Sequence, residues 1–160
     1  MSLLFALAIS IGLLAVVATW LCLGPMAALQ VQIWQAFIAW AAFYHCGGKV
    51  EGLQKAVVGM LFGAVVGALS VMLAGYLGAL GSFAAPVAVG IGAAVLVLAA
   101  HIGLLSTIPA NVYGFAAIAG LILLKPLAPL DALLPTIISI VLGGVFGWVS
   151  EWIAGKLTKA

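Results

Sequence analysis

Leu13-Leu14-Ala15-Val16-Val17-Ala18 is an unbroken apolar run, and around it no Asp, Glu, Lys or Arg occurs from Met1 to Gly48. A membrane-spanning β-strand alternates polar and apolar side chains over about ten residues, because one face meets lipid and the other the lumen. This run has no such alternation, so it reads as helix. A second uncharged run extends from Ala56 to Leu124. The charges are confined to Lys49, Glu51, Lys55, Lys125, Asp131, Glu151, Lys156 and Lys159. Charged residues make up 5% of the chain and the mean hydropathy is +1.44, against about 25% charged residues in soluble domains. Water is therefore not the main solvent of this chain. Lipid offers no partner to backbone amides, which leaves helices as the spanning elements. A helical crossing takes about 20 residues for about 30 Å of hydrocarbon, so the second run alone accommodates three crossings.

The turn chemistry at Gly24-Pro25, Gly47-Gly48, Gly78 to Ser82, Gly103 to Pro109 and Lys125 to Pro129 divides the chain into six spans. They are predicted near Leu3 to Leu23, Ile33 to Gly47, Ala56 to Leu77, Ala84 to Ile102, Ile108 to Leu124 and Ala132 to Gly155. The second and fifth are short and suit helices that begin inside a cavity. The start, Met1-Ser2-Leu3-Leu4, has no basic region and reads as part of the first span rather than as a cleaved signal. Lys49 and Lys55 follow the second span, and Lys156 and Lys159 follow the sixth. Positive loops stay cytoplasmic, which puts both termini on that side. The expected fold is an all-α polytopic membrane protein, one membrane domain over residues 1–160 with no soluble domain.

Sliding the chain along itself exposes a repeat at an offset of 80 residues. Gly63, Val65, Gly67, Ser70, Ala74 and Gly75 fall on Gly143, Val145, Gly147, Ser150, Ala154 and Gly155, and Ile11, Gly12 and Val17 fall on Ile91, Gly92 and Val97. Acidic Glu51 falls on acidic Asp131. With a shift of five residues, to an offset of 75, Trp40-Ala41-Ala42-Phe43 meets Phe115-Ala116-Ala117-Ile118. Halves 1–80 and 81–160 of three spans each insert in opposite directions, the inverted-repeat architecture common among transporters. The alternative is a duplication kept only for packing.

Gly59, Gly63 and Gly67 recur at four-residue spacing on the third span, as do Ser139, Gly143 and Gly147 on the sixth. Such spacing places them on one helix face and permits close helix contact, between the halves or between protomers of a homo-oligomer. Phe37, Trp40 and Tyr44 form an aromatic stripe on the second span, with Tyr113 and Phe115 in the corresponding part of the fifth. These rings either line a conduit or pack. Trp20, Trp34, Trp148 and Trp152 read as interfacial anchors. Polar groups in a span are costly and more informative. Gln30, Gln32 and Gln35 open the second span and Asn111 opens the fifth, so amides stand at both expected entrances, as solute contacts or as headgroup-level caps. His45, His101 and Glu151 fall in the cytoplasmic thirds of their spans, where they serve a proton relay or sit among headgroups.

Several functional classes lack support in the residues. There is no His-Glu-x-x-His, Gly-x-Ser-x-Gly, phosphate-binding glycine loop or Cys-x-x-Cys, so no enzyme, metal or cofactor is expected. Cys22 and Cys46 read as packing thiols. A net charge of +2 without a basic aromatic patch argues against nucleic acid. The chain contains no arginine, the usual bidentate partner of multiply charged anions.

The stretch Trp34 to Gly48, ending Tyr44-His45-Cys46-Gly47-Gly48, and the Pro109-led stretch through Gly120 resemble the small bacterial inner-membrane proteins typified by YcdZ. The resemblance covers nearly the whole chain and implies an inner-membrane location, with no established activity to carry over. The expected function is passage of a small polar, mainly neutral solute such as urea, an amide, ammonia or a weak acid. Trp40 and Phe115 would form a narrow constriction, with Asn111 and Gln35 replacing the hydrogen bonds of lost water. The alternatives are a non-transporting membrane assembly protein, which predicts packed aromatics, and an intramembrane enzyme, which needs Glu151, His45 and His101 in one pocket.

Overall fold

The computed structural model describes residues 1–159. Among them every regular element is helical: α1 Leu3–Leu23, α2 Ile33–His45, α3 Lys49–Tyr76, α4 Ala84–Leu98, α5 Ile108–Leu124 and α6 Leu133–Lys159. The segments 3–23, 49–76, 78–101 and 133–158 are long and apolar enough to cross a bilayer. α5 has 17 residues, and α2 has 13, about 20 Å of helix against about 30 Å of hydrocarbon. α3 begins at Lys49 rather than near Ala56, because Gly47, Gly48 and Lys49 all take positive φ (94°, 69° and 57°) and turn the chain at once from one helix into the next. Glycine adopts this region freely, whereas Lys49 does so at a cost of about 1–2 kcal/mol.

The helices gather around two long members, α3 and α6, which run antiparallel to each other, while α5 runs parallel to α3 and α2 parallel to α6. α3 packs on α5 and α4, α6 packs on α2 and α1, and α3 and α6 also meet. The glycine stripes make these contacts. A Cβ on Gly63 would run into the Asn111 carbonyl oxygen, one on Gly114 into the Met60 carbonyl, and one on Gly143 into the Ala36 carbonyl. Gly67 faces Ile118 and Phe115, and Gly147 faces Phe43. Missing side chains thus let α3 meet α5, and α6 meet α2, backbone to backbone. The glycines are spent inside the chain, so the expectation that they also join protomers does not hold for these faces.

Phe43, Met60, Ile118, Leu121 and Ile140 fill the centre among buried alanines. Outside, Leu4, Val16, Trp20 and Leu23 on α1, Val97 and Leu98 on α4, and Leu123 on α5 are exposed. A soluble monomer does not carry apolar surface on this scale, and the coat identifies a membrane protein.

Both short helices begin partway along a long neighbour. The backbone N–H of Gln32, just before α2, donates to Ser139 Oγ at 2.9 Å, and Ser139 lies about 9 Å along α6 from Leu133. Asn111 near the start of α5 lies against Gly59 and Gly63, about 15–20 Å along α3. Since α3 and α6 run antiparallel, the two starts enter from opposite ends.

Candidate functional site

Gln35 and Asn111, expected at the entrances, are instead fully buried. Gln35 Nε2 donates to the Ala117 carbonyl at 2.9 Å and to Thr136 Oγ1 at 3.1 Å, joining α2 to α5 and α6. Asn111 Nδ2 donates to the Leu105 and Leu96 carbonyls at 3.0 and 3.2 Å, tying the last turn of α4 and the connection after it to the first turn of α5. Pro109 stands in that turn, where a missing N–H costs nothing.

In both amides the nitrogen is saturated and the oxygen is not. Gln35 Oε1 and Asn111 Oδ1 are buried without a hydrogen-bond partner. Exchanging N and O would set an amide oxygen against backbone carbonyls, so the carbonyl acceptors decide each orientation. A buried polar atom left unpaired costs about 1–3 kcal/mol. The bundle holds two such atoms, one near each short-helix start.

The aromatic stripe divides between two roles. Trp40 is 4% exposed, stacks on Phe146 with ring centroids 5.6 Å apart, and donates from Nε1 to Ser150 Oγ at 3.0 Å. Tyr44 Oη lies 2.8 Å from the same oxygen, and Ser150 Oγ donates to the Gly147 carbonyl at 2.7 Å. One hydroxyl therefore serves three groups. Phe37 is exposed on the outer surface, which removes it from an interior lining. Phe115 packs against Gly67 and Gly92 beside Ser70, so in this conformation Trp40 and Phe115 fill space rather than frame an opening. Replacing Ser150 with alanine is expected to leave the Trp40 and Tyr44 donors unmet, lowering stability by about 1–3 kcal/mol and shifting the fluorescence of the Trp40 environment.

The charged candidates serve the helix ends. Glu151 Oε2 accepts the Lys49 backbone N–H at 2.7 Å, so a carboxylate from α6 caps the positive end of α3. A Cβ on Gly48 would strike this carboxylate, which explains a glycine there beyond its φ. His45 Nδ1 lies 2.9 Å from Tyr113 Oη and joins the end of α2 to the start of α5. His101 is exposed in a short 3-10 turn. Among the described residues no three His, Cys, Asp or Glu side chains form a metal-binding group. Glu51 pairs with Lys55 at 2.8 Å on the surface.

Thr136 and Ser150 escaped the sequence reading. A hydroxyl within a long apolar helix was the available signal for both, and Ser150 also matched Ser70 in the repeat. The surface carries apolar slots, among them one between α1 and α2 lined by Ile11, Trp40 and Tyr44, and another between α3 and α4 lined by Ser70, Gly92 and Val95. Neither slot is lined by Gln35 or Asn111.

A family of proteins of unknown function, DUF1097, matches residues 8–155, nearly the whole bundle. The chain belongs to the DUF1097 family. The match takes in all six helices, from within α1 to within α6, including both buried amides. No curated protein and no solved structure matches the chain.

Proposed function

We propose that this member of DUF1097 passes a small polar, mainly neutral solute across the bilayer, at the junction between two inverted three-helix halves. The observation that carries this reading is the pair of buried carboxamides whose oxygens lack donors, each near the start of a short helix inside the bundle. Ionisable or unmet polar groups at such depth are expensive, and transporters place them where a solute or ion repays the cost.

Support for the inverted halves comes from contacts that exchange under the repeat. Gly63 meets the Asn111 carbonyl as Gly143 meets that of Ala36, and Gly67 meets Ile118 as Gly147 meets Phe43. The offset is 80 on the long helices and 75 on the short ones, matching the two shifts of the sequence repeat. In this reading all six helices cross, α2 and α5 as partial spans completed by the segments that lead into them. The lysines then place both termini in the cytoplasm, and the YcdZ resemblance supports a bacterial inner membrane. A homo-oligomer would use the exposed apolar face of α1 rather than the glycine stripes. No enzymatic step is part of the proposal.

A second reading, a non-transporting membrane assembly protein, is favoured by the sealed packing of Trp40 on Phe146. Flux separates the two. Proteoliposomes containing the full chain are expected to take up urea or acetamide at least tenfold faster than empty vesicles. Equal rates for protein-containing and empty vesicles would leave the assembly reading in place.

A further inference from the structure

The two amides present a one-sided chemistry. Each nitrogen spends both N–H bonds on acceptors of the bundle, Ala117 and Thr136 for Gln35 and Leu96 and Leu105 for Asn111. Only lone pairs are left, on Gln35 Oε1 and Asn111 Oδ1. From these observations we infer that the interior recognises its solute by accepting hydrogen bonds, so that the ligand class is a small neutral molecule with N–H or O–H donors, such as ammonia, urea or a primary amide. This rests on the transport reading and narrows it: of the solutes compatible with the sequence, the ionised form of a weak acid is excluded.

The exclusion follows from electrostatics. No charged side chain hydrogen-bonds either amide. A carboxylate brought to these positions would set its own lone pairs against theirs, without a cation to offset desolvation. A bare cation would find acceptors and no carboxylate. A neutral donor loses its water at far smaller cost and regains a hydrogen bond at each oxygen. Gly59 covers Asn111 Oδ1, since a Cβ there would lie 2.9 Å from the oxygen. A donor reaches that atom only when α3 and α5 part.

Acetamide and dimethyl sulfoxide provide the test, being neutral polar molecules of similar size of which only the first has N–H groups; acetate supplies the acceptor-only anion. Protein-dependent flux in proteoliposomes is expected for acetamide and urea, with dimethyl sulfoxide and acetate at the rates of empty vesicles. A binding readout runs in parallel. Asn111 is the single asparagine of the chain, so side-chain 13C labelling of asparagine yields one carbonyl stretch in the infrared. It should move to lower frequency with acetamide and stay unchanged with dimethyl sulfoxide. Equal acceleration of dimethyl sulfoxide and acetamide, with no shift at Asn111, would overturn donor recognition while leaving transport intact. A shift with acetamide but no flux would overturn transport and keep the acceptor site. Gln35→Met, which retains an unbranched side chain without an amide, should reduce acetamide flux at least tenfold in protein that stays monodisperse.

Discussion

Gly63→Val and Gly143→Val are each expected to destabilise the bundle by more than about 3 kcal/mol, and the double variant should fail to accumulate as a monodisperse protein. At both positions the group in the way is a carbonyl of the facing helix, from Asn111 and from Ala36. A flexible side chain yields by changing rotamer, whereas a helical carbonyl moves only with its helix. Relief requires α5 to draw away from α3, or α2 from α6, and separation removes the packing around Met60, Ile118 and Phe43. Separation at Gly63 also disturbs the Asn111 bonds. Gly12, Gly75 and Gly155 serve as controls, since nothing lies within 4 Å of an added Cβ at any of them. Alanine at those three should leave thermal unfolding in detergent almost unchanged, and a comparable loss at all five sites would refute a specific role for the close approach.

Asn111→Leu should loosen the connection between α4 and α5 more than it loosens the helices themselves. Two opposing effects decide the magnitude. Deleting Nδ2 strips the donor from the Leu96 and Leu105 carbonyls, at about 1–3 kcal/mol for each left unmet. Deleting Oδ1 removes an acceptor that already lacks a partner, which returns part of that cost. The two carbonyls outweigh the one oxygen, so a net loss of about 2 kcal/mol is expected. It should be concentrated where the bonds were: hydrogen exchange should accelerate over residues 99–107 while the centre of α3 stays protected. Uniform acceleration along the whole chain would point to a general packing defect instead.

How far these features were legible in the sequence varies with the distance over which they are decided. The ends of α1 and α5 coincide with the predicted Leu3 to Leu23 and Ile108 to Leu124, because Gly24-Pro25, Pro109 and Lys125-Pro126 act locally on the backbone. The start of α3 did not coincide, since Lys49 and Glu51 read as loop residues and only the positive-φ turn with the Glu151 cap makes them helical. The small-residue spacing at Gly59, Gly63 and Gly67 identified a contact face but not its partner. Aromatic spacing at Phe37, Trp40 and Tyr44 predicted a shared face. A 13-residue helix instead turns Phe37 toward lipid and Trp40 toward Phe146, because α6 covers one side of the stripe and leaves the other open.

By itself, then, the sequence determined the solvent, the helical class and most of the breaks, because each follows from composition or turn chemistry within a few neighbouring residues. Tertiary structure decided what the polar groups do. Gln35 finds its acceptors 82 and 101 residues away, Trp40 finds Ser150 at 110, and Lys49 finds Glu151 at 102. An amide in a span announces that some hydrogen bond must be made there. Which of its atoms is satisfied, and which is left open to a ligand, depends on the acceptors that folding brings against it, Ala117 and Thr136 for Gln35 and Leu96 and Leu105 for Asn111.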